Sequence, residues 1–272
     1  MAEAIAQLTK GLERLTSLPV SVSRQRQELE LRIALGRALI VAHGYATPAV
    51  GETYARARAL CEQLNRPPEI VPVLYGQFVH YLIKGPLRLA REIAADLLQR
   101  GEDGADAGMT GMGHRLSGLP CFYFGEFLAS RAHLEQALAL TDPAHRALPF
   151  FFQDPLIPLL NYLSWNLCCL GYLDQARLRS KAAVEEASNL GHPYSLAYAL
   201  LGACGVDWAT RSREELLARA DALVAISDEH GFPWLRAFGT IYRGSALAGS
   251  GQSTEGIAVL EAGLPHSMQL GR

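Results

Sequence analysis

The chain has 272 residues, 49% hydrophobic and 19% charged, and its 25 basic against 27 acidic side chains leave a net charge of −2. That composition supplies a large core, and the near-neutral balance excludes the basic field on which polyanion binding depends, so no nucleic-acid partner is expected. The longest apolar runs, such as Leu156 to Leu163, break at Pro or polar residues well short of the roughly 20 needed to cross a bilayer; MAEAIAQLTK also lacks a signal peptide's basic start and apolar stretch, so a soluble, cytoplasmic chain with no membrane partner is expected.

Helical periodicity starts at once. Residues 2–16 carry the stripe Ile5, Leu8, Leu12 and Leu15 and stop at Ser17-Leu18-Pro19, reading as the second helix of a repeat whose first helix is missing. Gln25 to Ala42 follows with Leu29, Ile33 and Leu39 inward, ended by His43-Gly44-Tyr45. Thr47-Pro48 then caps a helix bearing Val50, Tyr54, Ala57 and Leu60, Pro suiting a first turn. After the connection Asn65 to Pro68, Glu69–Lys84 and Leu87–Gln99 form the next pair. The glycine-dense stretch Gly101 to Gly113 (GEDGADAGMTGMG) reads as a flexible linker. A phosphate cradle there would need a following Lys-Ser/Thr and a preceding strand, and neither is present.

His114 to Phe124 contains Pro120, which removes a backbone bond and predicts a kink, and Glu126–Leu140 pairs with it. Residues 143–155 form the longest connection, with Phe150, Phe151 and Phe152 folded back as an apolar plug. Leu160 to Pro193 is the clearest hairpin. Leu160, Leu163, Leu167 and Leu170 share one helical face, and Leu173, Ala176, Ser180, Ala183, Val184 and Ala187 share another beyond the turn at Gly171. Small residues at Ser164, Ala176 and Ala183 allow a close approach. Tyr194–Ala209 with Ser212–Glu229, then Pro233–Ala248 with Ser253–Leu264, complete the chain.

One hairpin cannot cover both of its apolar faces, and its neighbours repeat it. The late-helix anchors Leu12, Leu60, Leu98, Leu138, Val184, Leu223 and Leu264 are separated by 48, 38, 40, 46, 39 and 41 residues, the spacing of stacked helical hairpins. The small, apolar and turn positions follow the pattern of tetratricopeptide repeats at a period longer than that family's usual unit. The expected fold is all-α: a right-handed superhelical α-solenoid of about six tetratricopeptide-like helical hairpins plus one leading helix, with about thirteen helices in all. The predicted hairpins are 24–65, 69–100, 109–141, 154–190, 193–230 and 233–265 of a single array over 1–272.

No catalytic chemistry is legible. HExxH, paired CxxC, GxSxG and GxxxxGK[ST] are all absent, and the eight histidines stand singly. No cofactor, no metal and no enzyme activity are expected. The five cysteines (Cys61, Cys121, Cys168, Cys169, Cys204) are odd in number at interior-like positions and read as buried reduced thiols. What remains is surface. First helices line the concave side of such an array, where extended segments dock. Counting back from each turn gives Tyr75, Val79, Arg115, Phe122, Asn161, Trp165, Asp207, Trp208 and Ile241 as groove candidates, with Leu82, Leu119 and Ser245 beside them. Trp165 and Trp208 equally suit inter-helix packing.

Several phrases resemble the tetratricopeptide-like C-terminal region of bacterial multidomain signalling proteins. In those, an adenylate/guanylate cyclase or a transcriptional regulator stands beside a signal-transduction ATPase. The phrases are EAIAQLTKGLERL, ELRIALGRALIVAHGYATPAVGETYARARALCEQL, YFGEFLASRAHLEQALAL, QDPLIPLLNYLSWNLCCLGYLDQA, HPYSLAYAL and HGFPWLRAFGTIYRGSALAGSGQSTEGI. The resemblance implies a noncatalytic scaffold for a protein or peptide partner, the sensor or regulatory part of a signalling ATPase or cyclase. The alternative is a sensor of a small ligand or signalling peptide, with Phe150–Phe152 closing a pocket. Self-association is expected through two uncapped ends: the first helix has no preceding partner, and Gly263-Leu264-Pro265 stops the last one with Ile257, Leu260 and Leu264 uncovered.

Overall fold

Apolar stripes at helical spacing fold the described residues (2–65, 67–142 and 154–268 of a computed structural model) into thirteen helices and no strand. They are α1 (Ala2–Thr16), α2 (Val22–His43), α3 (Pro48–Gln63), α4 (Pro67–Lys84), α5 (Leu87–Asp103), α6 (Ala107–Tyr123) and α7 (Phe127–Ala139). After the connection come α8 (Leu156–Cys169), α9 (Leu173–Leu190), α10 (Pro193–Ala209), α11 (Arg213–His230), α12 (Pro233–Gly249) and α13 (Ser253–Met268). The plug proposed at Phe150–Phe152 lies outside the described residues. Among these helices none is long and apolar enough to cross a membrane.

The helices group into two compact units, one up to Leu116 and one from Ser117 onward. In the first unit α1 lies on α2, α2 pairs with α3, and α4 packs on both α3 and α5. The stripe of α1 is turned inward: Leu15 is buried, Ile5, Leu8 and Leu12 are half-buried, and Glu3, Gln7, Lys10, Glu13 and Arg14 face out. The stripe lies on the α2 side, partly covered, beneath a polar outer surface. Helix α2 begins before Gln25 because the Ser21 hydroxyl accepts the Arg24 backbone N–H at 3.2 Å, an N-cap.

Tyr54 of α3 is the hub of this unit, 3% exposed. A Cβ on Gly36 of α2 would come within 2.6 Å of its Cζ, and one on Gly76 of α4 within 2.3 Å. Two mid-helix glycines thus make the slot that receives one phenol ring. Alongside it the Glu28 carboxylate of α2 takes Arg56 of α3 in a two-point ion pair at 2.9 and 3.0 Å, with Arg32 at 2.9 Å. The Arg56 guanidinium holds Glu28 below the usual carboxylate range, Arg32 assisting against the opposing effect of burial.

The glycine-dense stretch is not a linker. Helix α5 continues to Asp103 and α6 begins at Ala107, joined by a turn in which Ala105 takes φ 49°. A Cβ on Gly101 would meet the Thr110 backbone nitrogen at 2.5 Å, and one on Gly113 the Leu98 Cα at 2.4 Å. These glycines bring two helix backbones into contact, whereas in the sequence they read as punctuation.

In the second unit α8 pairs with α9, α10 with α11, and α12 with α13; α8 also packs on α10, and α10 on α12. Helix α8 is buried on nearly every side from Ile157 to Leu167, which accounts for its lack of any charged residue. Alanines make the seams: Ala183 and Ala187 of α9 and Ala199 of α10 close around Ile157 and Leu160. Gly171 ends the α8 hairpin turn in the left-handed region at φ 83°, with Tyr172 N–H bonded back to Leu167 O. The α10–α11 turn repeats this, Ser212 N–H to Asp207 O, but with Arg211 at φ 58° in the glycine position. The last helix runs through Pro265 to Met268 and does not stop at Gly263. Gly263 is a contact point: a Cβ there would press on Ile241 Cγ1 at 3.1 Å.

The Tyr54 slot is testable by a double-mutant cycle. Gly76→Ala should cost about 2 kcal/mol or more in urea denaturation through overpacking. Tyr54→Leu in the same chain should recover part of that loss, because the Cζ atom it meets is gone. Strictly additive losses would mean that the ring does not fill the slot.

Candidate functional site

The first helices of the second unit, α8, α10 and α12 with the end of α6, carry a connected line of aromatic rings. Phe122 lies edge-on to Tyr162, with centroids 5.8 Å apart, and tilted against Trp165 at 6.4 Å. The Tyr123 and Tyr162 hydroxyls are hydrogen-bonded at 2.8 Å, joining α6 to α8. Trp165 donates its indole N–H to Gly202 O of α10 at 2.9 Å, and Asn161 donates its amide to Tyr198 O at 2.7 Å. Tyr198 then meets Trp234 of α12 at 6.0 Å, and Trp234 meets Phe238 edge-on at 6.0 Å. Four consecutive first helices are thereby tied by rings and neutral hydrogen bonds.

The local reason is again glycine. A Cβ on Gly202 would sit 2.0 Å from Asn161 Oδ1, and one on Gly205 would sit 2.5 Å from Trp165 Nε1. The bare backbone of α10 offers carbonyls that the α8 side chains reach directly. Asn161 is fully buried, and its Oδ1 makes no hydrogen bond among the described residues. Burial, with Tyr198 and Tyr123 beside it, pushes the Tyr162 phenol well above its ordinary range, so the hydroxyl stays protonated.

The groove candidates divide accordingly. Phe122, Asn161 and Trp165 belong to this line. Asp207 is turned toward α11, where Arg219 grips both its oxygens at 2.8 and 2.7 Å; burial raises its pKa despite that partner. Trp208 stands out from α10, 60% exposed. Ile241 faces Gly263 of α13. In the first unit Tyr75 and Val79 are half-buried on α4, and the Arg115 guanidinium lies over the Tyr75 ring at 5.6 Å.

Counting from turns overlooked Tyr123, Tyr162, Tyr198 and Trp234. A signal was present, since the Tyr123 and Tyr162 hydroxyls that bond stand 39 residues apart, the spacing of the repeat itself. Elsewhere in the unit burial pushes the Cys204 thiol up to about 12 and the Cys168 thiol up to about 11, but the expectation of five buried thiols fails at the end of α8, where Cys168 is half-buried and Cys169 exposed. Among the described residues no group of three or more His, Cys, Asp or Glu lies together as a metal site would require.

No protein-family model matches the chain, and no curated protein matches it in sequence. Among solved structures it is similar to a Rap protein complexed with Competence and Sporulation Factor, at 12% identity and a TM-score of 0.71, over 99% of this chain and 76% of that one. At such low identity the likeness concerns the fold, an all-helical array of tetratricopeptide-like hairpins.

Trp165 is built into the packing, and its substitutions should separate by chemistry. Trp165→Phe keeps a ring but loses the bond to Gly202 O and should cost about 1 kcal/mol. Trp165→Ala should cost about 3 kcal/mol or more. Chemical denaturation reads both, and an unchanged midpoint for Trp165→Ala would show that the indole does not join α8 to α10.

Proposed function

We propose that the chain is a noncatalytic receptor that binds a peptide along the aromatic line of α6, α8, α10 and α12. The observation that carries this is the line itself. Partly exposed rings recur on successive first helices, Phe122 on α6, Trp165 on α8, Tyr198 on α10 and Trp234 on α12, as an extended segment with a regular side-chain repeat would require. The fold shared with a Rap protein solved with a bound factor supports a binding role for such an array. The line presents rings, and the carboxylate of Asp207 is turned away from it to Arg219, an arrangement that supports binding. Aromatic side chains of this kind are the usual anchors of interfaces.

The test is selection from a displayed library of random nonapeptides on the immobilised chain. Retained peptides should bind in solution with a Kd of roughly micromolar order, and Tyr123→Ala, at a 50% exposed residue, should weaken them by more than about 1 kcal/mol. If the folded chain retains no more than a urea-unfolded control, peptide binding is wrong.

The wider role we infer, regulation of a linked signalling ATPase or cyclase, is supported by the resemblance of the sequence phrases alone. It requires a nucleotide-binding ATPase motif in the same or an adjoining coding segment, and a genomic neighbourhood without one would sink it.

A further inference from the structure

We infer that the ligand of this layer is an uncharged peptide of about eight residues, selected by exclusion of charge; this rests on the peptide-binding reading above. In the second unit the charges are sorted by layer. The second helices are rich in them, with Arg177, Arg179, Lys181, Glu185 and Glu186 on α9 alone. From Ser117 onward the first helices hold three, Asp207, Arg236 and Arg243. Each of the three is taken up by a second-helix partner: Asp207 by Arg219, Arg236 by Asp228 and Arg243 by Asp221, all on α11. What the layer offers a ligand is the half-buried rings of Phe122, Trp165, Tyr198 and Trp234 between the exposed Tyr123 and Phe238.

An ionised side chain laid on such a surface gives up water and gains no counter-charge, so it is rejected, whereas apolar and neutral polar side chains are accepted. The span of the line sets the length. Crossing from α6 to α12 takes three inter-axial steps of roughly 8–10 Å, which an extended chain at about 3.3 Å per residue covers in roughly seven to nine residues. The two ends are open to a ligand, with Tyr123 50% and Phe238 38% exposed.

The pool recovered from the nonapeptide library tests this. Asp, Glu, Lys and Arg should fall at least about threefold below their input frequency. A synthetic member of the pool with one central residue changed to Asp or Lys should bind about tenfold or more weakly, equivalent to about 1.4 kcal/mol. A retained pool enriched in acidic or basic residues overturns charge exclusion and leaves peptide binding standing; an empty pool overturns both. Phe238→Lys provides the second arm by adding a cation at the α12 end, and its pool should gain Asp and Glu at one terminal position. If that variant retains the same pool as the native chain, the ligand does not reach α12 and the length is wrong.

Discussion

The closest approaches between helix backbones govern this structure. At some of them a helical glycine meets the neighbouring backbone, as Gly101 and Gly113 do; at others it receives a large side chain: Tyr54 between Gly36 and Gly76, Leu134 against Gly118, and Asn161 and Trp165 on Gly202 and Gly205. A glycine inside a helix costs roughly 0.5–1 kcal/mol relative to alanine. Burying a tyrosine or tryptophan in the slot so created offsets that several times over. Direction matters as much as energy, because the slot fixes how far one helix is shifted along the next and therefore which side chains come level.

Trp165 shows how the same contact serves two ends. Its indole donates to a carbonyl that a side chain on Gly202 would have covered, and that bond joins α8 to α10. Its ring meanwhile continues the aromatic line from Phe122. Packing and the proposed recognition would therefore share residues in the second unit. A helix that supports neighbours on both sides cannot carry ionised groups cheaply. The charge therefore resides on α9 and α11, where it reaches solvent or the few first-helix partners.

Legibility in the sequence followed the strength of periodicity. Leucines at three- and four-residue spacing made α8 unmistakable, and the all-helical fold with it. Glycine was ambiguous, because the residue that ends α8 at Gly171 also permits contact at Gly101, Gly113 and Gly263, and only the packed partner tells these apart. The start of α2 was hidden for a different reason: a serine cap at Ser21 acts through one hydroxyl and leaves no periodic trace. Tyr162 and Tyr198 escaped because anchoring copies on the turn assigns groove positions by number, while rings reach across from adjacent positions on the helix.

The raised thiols of Cys168 and Cys204 bear on how the chain meets oxidants. Attack on peroxide or on another disulfide proceeds through the thiolate. A thiol pushed up to about 11, as Cys168 is, presents that form in only about one molecule in ten thousand at neutral pH, and Cys204 in fewer still. Burial is the largest cause at both thiols. As long as that packing holds, Cys168 and Cys204 are slow partners for any oxidant, whatever the redox state around the chain.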